Sequence, residues 1–130
     1  MFGRALVAVG LLLTLGLAAC GGSSGTPSNS SPPAASVGTA GVSLGTAAVK
    51  ISATDQLTFD PAMQTASVGD IIQWTNTSSV EHTITFDAES SLSDPSLQPG
   101  ATWDIKFTTA GTYHYHCSIH PTMIGTIVVS

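Results

Sequence analysis

Hydrophobic residues recur at every second position along much of the chain after residue 47. Ile72 and Trp74 alternate with Gln73 and Thr75; His82, Ile84 and Phe86 alternate with Thr83 and Thr85; Trp103, Ile105 and Phe107 alternate with Asp104 and Lys106. A period of two sends successive side chains to opposite faces of an extended chain, so each run predicts a half-buried β-strand. No window of helical length holds a 3.6-residue apolar stripe. The same alternation predicts strands over 112–117 and 125–129, and weaker ones over 47–53, 57–59 and 65–68. Turn pairs fall between them, at Asp60-Pro61, Gly69-Asp70, Pro99-Gly100 and Ala110-Gly111. Seven to eight short strands in about 85 residues predict an all-β sandwich.

The first 45 positions do not share this pattern. Arg4 precedes an apolar run that contains Leu6, Val7, Leu11, Leu12, Leu13 and Leu15. That run is shorter than the roughly 20 residues needed to span a bilayer and is followed at once by a Gly/Ser tract, so residues 1–19 read as an export signal. The stretch Leu17-Ala18-Ala19-Cys20-Gly21 resembles a bacterial lipobox, which implies that Cys20 becomes a lipid-modified N-terminus. Residues 20–45 are dominated by Gly, Ser, Thr, Pro and Ala and are expected to form a flexible linker. A coil of that length spans on the order of 25–30 Å. The folded domain is then expected over 46–130.

Charge narrows the partners. The chain has 130 residues, room for one domain, and a formal net charge of −5. All eight acids lie beyond residue 45, where the cations are only Lys50 and Lys106. An acidic surface repels nucleic acid and anionic lipid, and suits a protein partner with a basic docking face. Glu81, Asp87, Glu89 and Asp94 flank the predicted strand 82–86, either as solvated groups or as one acidic docking patch.

Chemistry concentrates in one segment. In Cys117-Ser118-Ile119-His120-Pro121-Thr122-Met123 a thiolate, an imidazole and a thioether follow one another at three-residue spacing. Strand alternation places Tyr113, Tyr115 and Cys117 on one face, and places His82 on the apolar face of its own strand. A lone cysteine of this kind is often only a small buried hydrophobe, but a His₂Cys set with a weak axial Met is the signature of an electron-transfer copper site. Zinc prefers a tetrahedral set without thioether. The candidate ligands are therefore His82, Cys117, His120 and Met123, around one copper ion. His114 and His116 raise the possibility of a second metal site; alternation turns them away from the Cys117 face, toward surface or packing roles. Met63, Trp74 and Trp103 are expected in the core.

The segment 111–129 resembles the C-terminal copper loop and last strand of the cupredoxins, and its Cys-x-x-His-x-x-Met spacing with Pro121 after His120 is similar to the short loop of amicyanins. Val68-Gly69-Asp70-Ile71-Ile72-Gln73-Trp74-Thr75-Asn76, followed by His82-Thr83, is cupredoxin-like as well. The resemblance implies a Greek-key β-sandwich. It also implies one type 1 copper that cycles between Cu(I) and Cu(II), with His82 as the upstream ligand, Cys117 the thiolate, His120 the exposed imidazole and Met123 the axial thioether. One position departs: Thr83 stands where amicyanin and plastocyanin have an asparagine that braces the cysteine loop. A threonine hydroxyl can donate to that loop instead.

The function implied is one-electron shuttling between exported redox proteins, such as a cytochrome c or a periplasmic dehydrogenase, by a monomeric carrier that is not an enzyme. The alternative is copper storage or delivery with the same ligands. A Cys-His hydrolase built on Cys117 finds neither a third orienting residue nor an oxyanion loop in the sequence. The expected location is the outer face of the cytoplasmic membrane, through Cys20, or the periplasm.

Overall fold

The computed structural model describes residues 37–130. The expected export signal, Cys20 and most of the expected linker lie outside the described residues. Ten strands form: β1 (Gly38–Gly41), β2 (Val49–Ala53), β3 (Phe59–Asp60), β4 (Met63–Ala66), β5 (Ile71–Asn76), β6 (His82–Phe86), β7 (Asp94–Leu97), β8 (Thr102–Phe107), β9 (Gly111–His116) and β10 (Ile124–Val129). One 3-10 turn, Ser90–Leu92, lies between β6 and β7. The strands make two five-stranded sheets, β1-β8-β5-β2-β3 and β4-β10-β9-β6-β7. Pairing is antiparallel except for β2 with β5 and β4 with β10, which are parallel. The chain therefore crosses repeatedly between the sheets, as a Greek-key sandwich requires.

Two strands exceed the seven to eight expected, each for a physical reason. β1 (Gly-Thr-Ala-Gly) shows no apolar alternation and falls within the stretch 20–45 that reads as linker. It adds to the sheet edge at β8, and Gly38 permits the approach because a Cβ there would lie 2.8 Å from the Lys106 carbonyl oxygen. The linker expectation is thus corrected at 38–41: order begins before residue 46. β7 contains Pro95, which argues against a central strand, but β7 is an edge strand that pairs with β6 across a register shift.

The inner faces meet as alternation predicts. Ile51, Ile72, Trp74, Ile84, Phe86, Ile105, Phe107, Tyr113, Tyr115, Ile127 and Val129 are buried. Trp74 stands edge-on to Tyr115 and Phe86, with ring centroids 5.4 and 6.1 Å away, a favourable geometry for aromatic quadrupoles. Tyr115 lies across β10 at its cross-strand partner Gly125, where any Cβ would overlap the tyrosine ring. Two expectations fail at the sandwich margins. Trp103 is only partly buried, with its indole N–H donating to the Leu92 carbonyl at 2.9 Å. Met63 is 67 % exposed, because β4 is an edge strand and Met63 pairs with Thr126 on the outer side of its sheet.

Candidate metal centre

At one end of the sandwich the loop 77–81, between β5 and β6, approaches the loop 117–123, between β9 and β10. β6 begins at His82, whose side chain is fully buried, and β9 runs directly into the buried Cys117. The 117–123 loop is held closed by its own backbone: Cys117 N donates to Met123 O and Met123 N donates to His120 O, both at 2.9 Å. These bonds fold the three-residue spacings back on themselves. His120 is thereby brought over Cys117, and Met123 becomes fully buried.

Three donor atoms converge. His82 Nδ1 is 3.2 Å from His120 Nδ1 and 3.8 Å from Cys117 Sγ, and His120 Nδ1 is 3.5 Å from the same sulfur. A triangle with these sides has a circumradius of about 2.0 Å, close to the bond lengths of first-row metals to imidazole nitrogen and thiolate sulfur. Among the described residues this is the one cluster of three or more His, Cys, Asp or Glu side chains able to hold a metal ion. The donor set is two imidazoles and a thiolate, with a methionine on the same loop, and its softness suits copper. Burial lowers the His82 pKa; the neighbouring His120 lowers it further, and Asp55 opposes both. A neutral His82 is the form that offers a lone pair.

The groups behind these donors are largely hydroxyls. Ser78 Oγ lies 2.8 Å from His82 Nε2 and also 2.7 Å from Asn76 Oδ1. Asn76, 1 % exposed, donates from Nδ2 to the Val80 and Leu97 carbonyls at 2.7 and 2.8 Å. With Nδ1 directed at the site, His82 Nε2–H donates to Ser78, Ser78 donates to Asn76, and Asn76 is anchored to backbone. The ring is held in one tautomer and one orientation.

On the other side, Thr83 N donates to Cys117 Sγ at 3.3 Å, and Thr83 Oγ1 accepts from Ser118 N at 2.7 Å. Thr83 Oγ1 is 3.0 Å from Thr85 Oγ1, which is 2.7 Å from Ser118 Oγ. Thr83 therefore does brace the cysteine loop, with its hydroxyl accepting from the loop amide and not donating to it. Alternation places Thr83 on the polar face of β6, yet it is buried, since the folded loop covers that face.

His114 and His116 point away from the cluster, as alternation predicts. The acidic residues flanking β6 divide: Glu81 accepts from Ser96 Oγ at one end, while Asp87 contacts His116 beyond the other. Sequence reasoning missed Ser78 and Asn76. Ser78 sits in a Thr-Ser-Ser run that looks like any solvated loop, and only its position four residues before His82 hints at a role.

The family model for copper-binding proteins of the plastocyanin/azurin family matches residues 46–130. The chain belongs to this family. It is 36 % identical over 113 residues to the chloroplastic plastocyanin of Tetradesmus obliquus, a match that covers 74 % of this chain and 78 % of that protein. It is 39 % identical over 66 residues to the amicyanin of Paracoccus denitrificans, covering 48 % of this chain and only half of that relative's length. Among solved structures, a Cu(I) form of an amicyanin variant superposes with a TM-score of 0.61 at 28 % identity, covering 75 % of this chain and 95 % of the other. A purple cupredoxin from Nitrosopumilus maritimus gives a TM-score of 0.56 at 28 % identity, over 63 % and 99 % of the two chains. Family membership makes copper the chain's cofactor, and the described residues hold one His/Cys cluster able to take a metal ion.

Proposed function

We propose that His82, Cys117, His120 and Met123 hold one type 1 copper ion, and that the protein passes single electrons between exported redox partners. The observation that carries this reading is the convergence of two imidazole nitrogens and a thiolate on a point about 2.0 Å from each. Copper held there supplies reversible one-electron exchange between Cu(I) and Cu(II). The chain supplies rigidity: His82 and Cys117 sit at strand ends, and the hydroxyl and amide contacts behind them resist movement when the charge changes. His120 is partly exposed and flanked by exposed Ile119, so its ring is the point at which a partner comes nearest the donors. Asp55 and Glu81 lie beside the neighbouring loop and favour a partner with a basic face, such as a cytochrome c or a periplasmic dehydrogenase.

This reading makes the protein a carrier and not an enzyme. The test is to load the protein with Cu(II) and record visible and paramagnetic-resonance spectra. An intense blue or purple thiolate band that bleaches reversibly with a mild reductant, and is abolished in Cys117→Ser, is expected. A colourless protein that binds only Cu(I) would overturn shuttling in favour of copper storage or delivery. The lipobox-like Leu17-Ala18-Ala19-Cys20 supports lipidation at Cys20 with loss of residues 1–19, which would hold a monomeric carrier at the outer face of the cytoplasmic membrane. Wild-type protein that partitions into the aqueous phase of a detergent extract, as Cys20→Ser should, would refute the anchor.

A further inference from the structure

We propose that His114 and His116 form a second site, for a divalent transition-metal ion such as Cu(II) or Zn(II), on the outer face of the β4-β10-β9-β6-β7 sheet. The two residues are two apart on β9, with Tyr113 and Tyr115 turned inward between and before them, so both imidazoles leave the same face. Strand rise separates their Cα atoms by about 6.8 Å, a span that two imidazoles converging on one ion can close.

Each ring already has its inner nitrogen occupied. His116 Nδ1 is 2.8 Å from Asp87 Oδ1, and His114 Nδ1 is 3.1 Å from Thr126 Oγ1 on β10. An ionised carboxylate only accepts, so His116 donates from Nδ1, and it is Nε2 that carries the lone pair when the ring is neutral and binds an ion. The Thr126 hydroxyl accepts equally well from His114 and can leave that ring in the same tautomer. A carboxylate or hydroxyl behind the protonated nitrogen, with the other nitrogen free, is the arrangement typical of metal-bound histidine. Asp87 is itself fixed to β9, since its backbone N–H donates to the His114 carbonyl at 3.1 Å.

Asp87, His114, His116, Pro121 and Thr126 line a common surface cavity of about 290 Å³, which leaves room for water to complete the coordination. Glu89 and Asp87 border the adjoining cavity beside His114 and add negative charge. Two imidazoles with water suit Cu(II), Zn(II) or Ni(II), whereas Ca²⁺ and Mg²⁺ require oxygen ligands and Cu(I) favours sulfur. Asp87 acts behind His116 and not on the ion, so the site has two protein ligands. It shares none with the buried cluster, from which the pleat of β9 turns it away.

The test uses the full chain with its first copper site loaded, to which Cu(II) is added. One further equivalent is expected, with a tetragonal paramagnetic-resonance signal distinct from the first and split by imidazole nitrogen. Its affinity should fall at least tenfold in His114→Gln and in His116→Gln, and roughly 10- to 100-fold in Asp87→Asn, while the thiolate band is unchanged. Absence of a further equivalent in the wild type would overturn the proposal. So would a further equivalent whose affinity is unaltered in the His114→Gln/His116→Gln double variant.

Discussion

Thr83→Val isolates the brace on the cysteine loop. Valine matches threonine in shape, so the substitution removes one hydroxyl and leaves the buried methyl packing intact. The backbone bond from residue 83 to Cys117 Sγ also survives. What is lost is the acceptor for Ser118 N, 2.7 Å away, and one partner of Thr85 Oγ1, at 3.0 Å. A buried donor left unpaired costs about 1–3 kcal/mol; Ser118 lies at the surface and water can reach it, so the lower half of that range applies. For a domain of this size each kcal/mol moves the melting temperature by roughly 4–8 °C, so a fall of about 4–16 °C is expected. Thermal unfolding of the copper-free protein followed by circular dichroism measures this directly. Thr83→Ser, which keeps the hydroxyl, should lie much nearer the wild type. If Thr83→Val melts with the wild type and its copper-loaded spectrum is also unchanged, the hydroxyl contact contributes nothing and the reasoning fails.

Other perturbations probe the remaining supports. Ser78→Ala removes the acceptor behind His82 Nε2 and should weaken copper binding about 10- to 100-fold, read by competition with a chelator; unchanged affinity would show that the ring needs no such partner. Gly125→Ala drives a methyl group into the Tyr115 ring and should destabilise the domain by about 1–3 kcal/mol or more, seen as a lower urea midpoint. Without metal, the lowered pKa of His82 means that the unfolded chain takes up a proton first as pH falls below about 6.5. The copper-free protein should then lose stability on acidification until the folded-state pKa is also passed, and hold its full contribution above that window. An identical pH dependence of the urea midpoint in His82→Gln would rule this out.

Much of this architecture was legible in the sequence because alternation is a strong signal where one face is buried. Trp74, Ile84, Phe107 and Tyr115 fall on inner faces as their period predicts. The illegible parts are held by edges and loops. β1 has no side chain larger than threonine and exists because β8 offers an unpaired edge. Met63 reads as apolar filling, but on an edge strand the outer face is open to water. The donor residues were legible from spacing on one loop plus a single histidine at the start of an apolar strand. Ser78 and Asn76 were not, since their role depends on how the 77–81 loop turns back on β6, and Ser and Thr in a loop carry no directional information until the fold is known.

The chemistry of hydroxyls explains why such residues can serve around the donors. A hydroxyl accepts as readily as it donates, so the chain His82 Nε2–H, Ser78 Oγ–H, Asn76 Oδ1 runs in one direction with every proton used, and ends on an amide whose own protons meet backbone carbonyls. On the opposite side Thr83, Thr85 and Ser118 form a ring of contacts that ties the loop to β6 at two points, Ser118 N to Thr83 and Ser118 Oγ to Thr85. Apart from the donor His82 itself, neither network contains an ionisable side chain. The hydrogen-bonded groups behind the donors therefore keep their charge as pH changes, while charged groups such as Asp55 and Glu81 are kept to the surface. A centre built this way keeps its geometry when the charge at the site changes by one, because the contacts that set donor positions neither gain nor lose protons.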